Sequence, residues 1–204
     1  AYCTVFLASA YSLLGAALTL TGESAEAVEA FLASSRLEMV REKKAVEYSN
    51  ALFASNYLPA EQRASYAELA RGYGALYADV RPLSTPADAR RGHARLRIGY
   101  ISPDLRAHPV GTLVRPLLTA YDRTRFAVYC YANCAEDALS QEFHAVVDVW
   151  RNISGMTAAE AAALVRGDEI DILVDLAGHT QNNCLPVLAY KPAPVQVTGI
   201  GYFN

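Results

Sequence analysis

The sequence has little charge, and what it has is nearly balanced. Charged residues make up 19% of its 204 residues, with 18 basic against 21 acidic side chains and a net charge of −3. No basic excess is present to hold a phosphate backbone, so nucleic acid is not an expected partner. From Ala1 to Gly22 there is no charged residue at all, and Glu23 is the first. That run lacks the basic n-region of a secretory signal. It also lacks the unbroken apolarity of a membrane span of about 20 residues, because Thr4, Ser9, Ser12, Gly15, Thr19 and Thr21 interrupt it. A buried helix is the expectation there, with no membrane span. Cysteine is scarce: Cys3, Cys130, Cys134 and Cys184 are too few and too scattered for a disulfide scaffold, which points to reduced thiols and a cytoplasmic location. No C-x-x-C pair supports a metal site at Cys130, Cys134 and His144, so no metal is expected. The G-x-G-x-x-G fingerprint, the P-loop and the G-x-S-x-G elbow are all missing. Dinucleotide oxidoreductases, P-loop enzymes and hydrolases of that class are thereby disfavoured.

What is present is apolar content of 52%, enough for a globular core. The first half reads helical. Tyr11, Leu14, Leu18, Ala25, Val28, Phe31 and Leu32 recur at helical spacing around a break at 21–24, with Ser24 as an N-cap. A second helix is expected over Leu37 to Ala54, with Val40, Val46, Tyr48, Leu52 and Phe53 as core residues. A third is expected over Ala60 to Ala78, with Tyr66, Leu69, Tyr73, Leu76 and Tyr77 on one face. The segment 81–94, with Pro82, Pro86, Gly92 and the pair Arg90-Arg91, reads as a linker between a helical stem (1–80) and a second domain (95–204).

That second domain alternates strands and helices. Strands are expected at Leu96–Ile101, Phe126–Tyr131, Val149–Ile153, Ile170–Leu176 and Val195–Ile200. Helices are expected at Pro109–Tyr121 (apolar side Leu113, Val114, Leu117, Leu118), Glu136–Val147, Thr157–Arg166 with Thr157 as N-cap, and Asn183–Tyr190. The pattern implies an α/β class with a parallel, Rossmann-like sheet. Ligands then bind beyond the carboxyl ends of the strands. Three loops meet that condition: Ser102 to Gly111, Ala177 to Gln181, and the one opening at Gly201-Tyr202. Two of the four histidines, His108 and His179, fall in them. Taken singly, each could be a polar residue at a helix start or a turn. His93 falls in the linker, and His144 reads as a solvated or packing residue.

The loops carry a resemblance. Leu96 to Asp104 with His108-Pro109-Val110, then Asp168 to Thr180 with Gly178-His179-Thr180, then Lys191 to Val197 with Gly201-Tyr202, resemble in order three blocks of the O-linked N-acetylglucosamine transferase family, including its SPINDLY-like and bacterial members. The first half agrees. Tyr11, Leu14, Gly15, Gly22, Ala27 and Phe31 fit the spacing of a tetratricopeptide repeat, which that family carries ahead of its catalytic region.

The resemblance implies a GT-B enzyme of two Rossmann-like halves, of which this chain would hold the helical stem and the first half. The missing initiator methionine and the stop after a strand-like run also read as a piece of a longer protein. It implies transfer of N-acetylglucosamine from UDP-GlcNAc to protein Ser/Thr with inversion and no required metal, the helical repeats engaging the acceptor protein. His108 would be the active-site histidine, as base or orienting group. Pro109, Gly178, His179, Thr180, Gly201 and Tyr202 would line the donor and substrate cleft. One departure stands out: Val149 occupies the place of a second active-site histidine of some members. Two alternatives stay open. One is a non-catalytic, repeat-based protein-binding module; the other is a relative using another nucleotide sugar such as GDP-fucose. The fragment itself is expected to be inactive.

Overall fold

The charge-free run folds as a helix, α1 (Tyr2–Thr21), and turns into α2 (Ser24–Leu37). The computed structural model describes residues 2–85 and 92–202, so Pro86, Arg90 and Arg91 of the expected linker lie outside the described residues. Gly22, at φ +87°, closes α1 with a Schellman turn. The Glu23 N–H donates to the Leu18 carbonyl at 2.9 Å, and the Gly22 N–H donates to that of Thr19 at 3.4 Å. This shifts the expected cap: Glu23, not Ser24, takes the N-cap position of α2, and it makes no side-chain cap bond. Its carboxylate is occupied by the Thr21 hydroxyl at 2.8 Å.

Within this chain α1 is buried only in part. Among the described side-chain positions of α1 only Ala8 and Gly15 are buried, while Phe6, Leu13 and Leu20 are 74%, 72% and 89% exposed. The helix packs on α2 through its small residues. A Cβ on Gly15 would lie 2.8 Å from the Phe31 ring, and the Ser34 hydroxyl donates to the Ala8 carbonyl at 2.9 Å. Leu14 therefore lies outside the packed face. By length and composition alone Cys3–Thr21 would suffice to cross a membrane.

The expected helix over 37–54 is split. Glu38 and Val40 are extended, at ψ 133° and 124°, and α3 begins at Arg41 and runs to Ser55. Val40, Val46 and Phe53 are exposed, and the buried face is Ala45, Ser49, Ala51, Leu52 and Ala54. A 3-10 segment, Ala60–Ser65, precedes α4 (Tyr66–Ala75), of which Tyr73 is the buried residue. These helices make one compact unit, up to Asp79, to which His179–Gln181 also belong.

The second unit, Val80–Gly178 with the segment from Asn182, is built on period-two alternation. Five strands form one wholly parallel sheet: β1 (Leu96–Ser102), β2 (Phe126–Ala132), β3 (Val149–Asn152), β4 (Ile172–Asp175) and β5 (Val195–Thr198). Their order is β3-β2-β1-β4-β5. On one face Tyr100, Val128 and Cys130 pack with Val114 and Leu118 of α5 (Pro109–Thr119) and Phe143 of α6 (Ala138–Val146). On the other, Ile101, Tyr131 and Leu173 pack with Ala161, Ala162 and Val165 of α7 (Ala158–Gly167) and Val187 of α8 (Leu185–Ala189). The central strands are thus covered on both faces, as parallel strands favour, while Val195 and Val197 of β5 stay exposed. Thr157 caps α7 as expected, in a capping box with Glu160.

Leu113 and Leu117, expected on the core side of α5, are 61% and 44% exposed; the buried stripe is Val110, Gly111, Val114 and Leu118. The expected linker is held to the sheet domain at its start. The Leu83 N–H donates to the Tyr190 carbonyl at 2.7 Å, and the Ser84 N–H to that of Lys191 at 3.0 Å. His93 is tied to Asp171 at 2.9 Å, before β4 begins.

Candidate active site

The strand order reverses direction beside β1. β2 and β3 lie on one side of it, and β4 and β5 on the other. Between β1 and β4, at their carboxyl ends, is the switch point where ligands of open α/β folds bind. The loop after β1 delivers His108 to the start of α5. His108 is the N-cap: its Nδ1 accepts the Val110 N–H at 3.3 Å, and Pro109 takes the first helical position, where a missing N–H costs nothing. In the neutral ring the proton therefore sits on Nε2. The side chain is 39% exposed, with Asp104 Oδ1 3.7 Å from Nδ1. Burial pushes the Asp104 carboxyl above its ordinary range, while the His108 and Arg106 charges pull the other way.

The loop is clamped from α6. The cap residue Asp137 accepts Ser140 N–H through Oδ1 at 3.0 Å and Ala107 N–H through Oδ2 at 2.7 Å. The Ser140 hydroxyl donates to the Leu105 carbonyl at 2.8 Å. Those backbone bonds, led by that from Ala107, hold Asp137 below the usual carboxylate range. One capping box thus orders both a helix and the histidine loop.

The loop after β4 is organised by Asp175. This carboxylate is fully buried. It accepts the Gly178 N–H at 2.7 Å, the Ala177 N–H at 3.3 Å and the Thr198 hydroxyl at 2.6 Å. Burial raises its pKa, and the three donors oppose that rise. Gly178 sits at φ +55°, and a Cβ there would run into Tyr202, with Tyr202 Cγ at 2.7 Å. Gly201 lies equally close: a Cβ would overlap the Leu176 carbonyl oxygen and stand 3.1 Å from Val110 Cγ2. The first turn of α5, the Gly178 turn and the Gly201-Tyr202 segment therefore converge.

His179 and Thr180 belong to the helical unit. The His179 ring stands edge-on to Tyr73, centroids 4.8 Å apart, with Nδ1 3.1 Å from the Ser49 hydroxyl. Burial pulls its pKa from 6.5 to about 4, so the ring is neutral at pH 7. A depressed histidine pKa means the unfolded chain binds the proton more tightly. Stability is full above about pH 6.5 and falls as pH drops towards 4, by about 3 kcal/mol in all. Urea unfolding at pH 7 and pH 4.5 should show this loss in the wild type and a much smaller one in His179→Gln.

Val149 opens β3 at the amino-terminal edge of the sheet, paired with Tyr129. It stands three residues before the carboxyl end of that strand at Asn152. Sequence reading missed a polar pocket of about 430 Å³ beside the His108 loop, lined by Arg106, Asn133, Ser154, Asn182 and Asn183 among others. Its residues come from four separate loops, and no spacing in the sequence joins them.

The family model for glycosyl transferase family 41 matches residues 75–204. The chain belongs to glycosyltransferase family 41. This family-41 chain is 39% identical over 161 residues to the probable UDP-N-acetylglucosamine–peptide N-acetylglucosaminyltransferase SPINDLY of Arabidopsis thaliana, covering 76% of the chain and 18% of the relative. It is 36% identical over 114 residues to the UDP-N-acetylglucosamine–peptide N-acetylglucosaminyltransferase of Caenorhabditis elegans, covering 53% of the chain and 10% of that protein. Among solved structures, a variant O-GlcNAc transferase of Thermobaculum terrenum superposes with a TM-score of 0.83 at 38% identity, over 97% of this chain and 38% of that one. The family-41 chain spans less than a fifth of the length of the curated relatives it matches. Helices followed by a parallel five-stranded sheet agree with the expected fold class, the catalytic half of a GT-B enzyme.

Proposed function

We propose that the protein transfers N-acetylglucosamine from UDP-GlcNAc to Ser or Thr hydroxyls of proteins, with inversion, and that this chain supplies its N-terminal catalytic half. The observation that carries the reading is the convergence of the His108, Gly178 and Gly201 loops at the sheet's switch point. In the reaction the acceptor oxygen bonds to the anomeric carbon, the diphosphate departs with the electron pair of the broken bond, and the hydroxyl proton passes to water or to the departing diphosphate. With Nδ1 accepting from Val110, His108 presents Nε2–H as a donor. That favours orienting the hydroxyl or a phosphate oxygen over taking the proton. The N-terminal end of α5 adds partial positive charge beside it, which suits a leaving diphosphate without a required metal. The helical unit would engage acceptor proteins. Free thiols at all four cysteines suit a cytoplasmic setting.

The test is incubation of the full-length parent with labelled UDP-GlcNAc and, separately, labelled GDP-fucose, on a mixture of candidate proteins. Alkali-labile label on Ser or Thr from UDP-GlcNAc is expected. Label from GDP-fucose alone would change the donor, and none from either would leave a binding module.

A further inference from the structure

We propose that the polar pocket at the carboxyl ends of β1, β2 and β3 is an acceptor subsite, and that Arg106 there pairs with an acidic side chain of the polypeptide being modified. The inference rests on the proposed transfer to proteins and names what the site selects.

The pocket adjoins the loop that carries His108: Pro103 and Arg106 line it from that loop. Asn133 and Cys134 follow β2, Ser154 follows β3, and Asn182 and Asn183 come from the segment after β4. No carboxylate lines it. Arg106 is exposed and, among the described residues, makes no ion pair or side-chain hydrogen bond. Four other arginines on the sheet domain are ion-paired: Arg95 to Asp148, Arg97 to Glu169, Arg115 to Glu142 and Arg151 to Asp168. Its charge acts on the Asp104 carboxyl of its own loop, and with no acid among the lining residues the exposed guanidinium of Arg106 is open to a further anion.

The rest of the lining is fixed in place. The Asn133 Nδ2 donates to the Asn182 carbonyl at 3.2 Å, and the Asn183 Oδ1 accepts the Leu185 N–H at 3.2 Å. Asn182 takes φ +58°, the left-handed turn conformation that asparagine tolerates. The Asn182 amide and the Ser154 hydroxyl have no bond within the described residues and face the same space. Side-chain amides offer a donor and an acceptor together, which matches peptide groups. A single cation matches a single carboxylate. A diphosphate, with two or more charges, would call for more than one.

The test uses the full-length parent and a series of Ser-containing peptides with one Asp, Asn or Lys placed in turn at each position within three residues of the serine. Transfer is measured as kcat/KM. Binding is measured separately by fluorescence anisotropy of the labelled peptides in the presence of UDP. For at least one position the Asp peptide should exceed its Asn counterpart by roughly three- to tenfold in both readouts. Arg106→Ala should erase that ratio, and Arg106→Glu should shift preference to the Lys peptide. A wild type with no acidic preference, or an Arg106→Glu variant with an unchanged ratio, would overturn the subsite. A variant that raises KM for UDP-GlcNAc while keeping the peptide ratio would assign Arg106 to the donor and equally overturn it. Binding preference lost in Arg106→Ala without turnover by any form would uphold the subsite while contradicting the transfer reading.

Discussion

Asp175→Ala is expected to lower the unfolding free energy by about 3 kcal/mol, because it leaves two backbone N–H groups and a hydroxyl buried without an acceptor. The three are those of Ala177, Gly178 and Thr198, and all converge on this one carboxylate. The loss should not stop at stability. The same bonds set the Gly178 turn against the end of β5, so transfer should fall about a hundredfold, the scale of a misplacement near 1 Å at a reacting centre. Asp175→Asn separates charge from shape. Burial raises the folded carboxyl's pKa, so the wild-type contribution is full below the unfolded pKa and declines as pH rises through the folded one. Asparagine carries no charge to bury and should abolish that decline while keeping part of the bonding. Urea titrations of the three proteins at several pH values check both statements. An alanine variant as stable as the wild type at every pH would remove Asp175 from the account.

Gly178→Ala is the second large effect. The position has φ +55°, where a Cβ costs about 1 kcal/mol, and the added methyl would overlap Tyr202 in a packed site, a further cost of about 1–3 kcal/mol. Either Gly178 moves or Tyr202 does, and both belong to the converging loops. Transfer should therefore fall at least as far as for Asp175→Ala. Gly199→Ala is the control: a Cβ there meets nothing within 4 Å, and its stability should stay within about 0.5 kcal/mol of wild type. Thermal unfolding and single-substrate kinetics on the pair decide whether the glycine acts through its geometry.

The alternation of strands and helices was legible because parallel strands buried on both faces give short apolar runs, as in Ile170 to Leu176. The chemistry-bearing loops could be found from topology alone, since parallel sheets bind at one edge. Helix faces were harder. In α5 four apolar residues span too wide an arc, and only Val114 and Leu118 of them reach the core. The break at Glu38-Met39-Val40 carries no glycine or proline, and α3 packs against α2 beyond it. Asp175 read only as a strand residue, because its partners come from a different strand and a turn. Arg106, Asn133, Ser154 and Asn182 meet only once four loops are folded. Polar sites assembled across strands leave no periodic signal.

The most direct test of the central claim is transfer of labelled N-acetylglucosamine by the full-length parent beside its His108→Ala variant, at saturating UDP-GlcNAc and acceptor. Label on protein Ser or Thr is expected from the wild type, with kcat reduced about a hundredfold or more in the variant as a donor at the reacting centre is lost. Equal transfer by the two would contradict the placement of the reaction at the His108 loop.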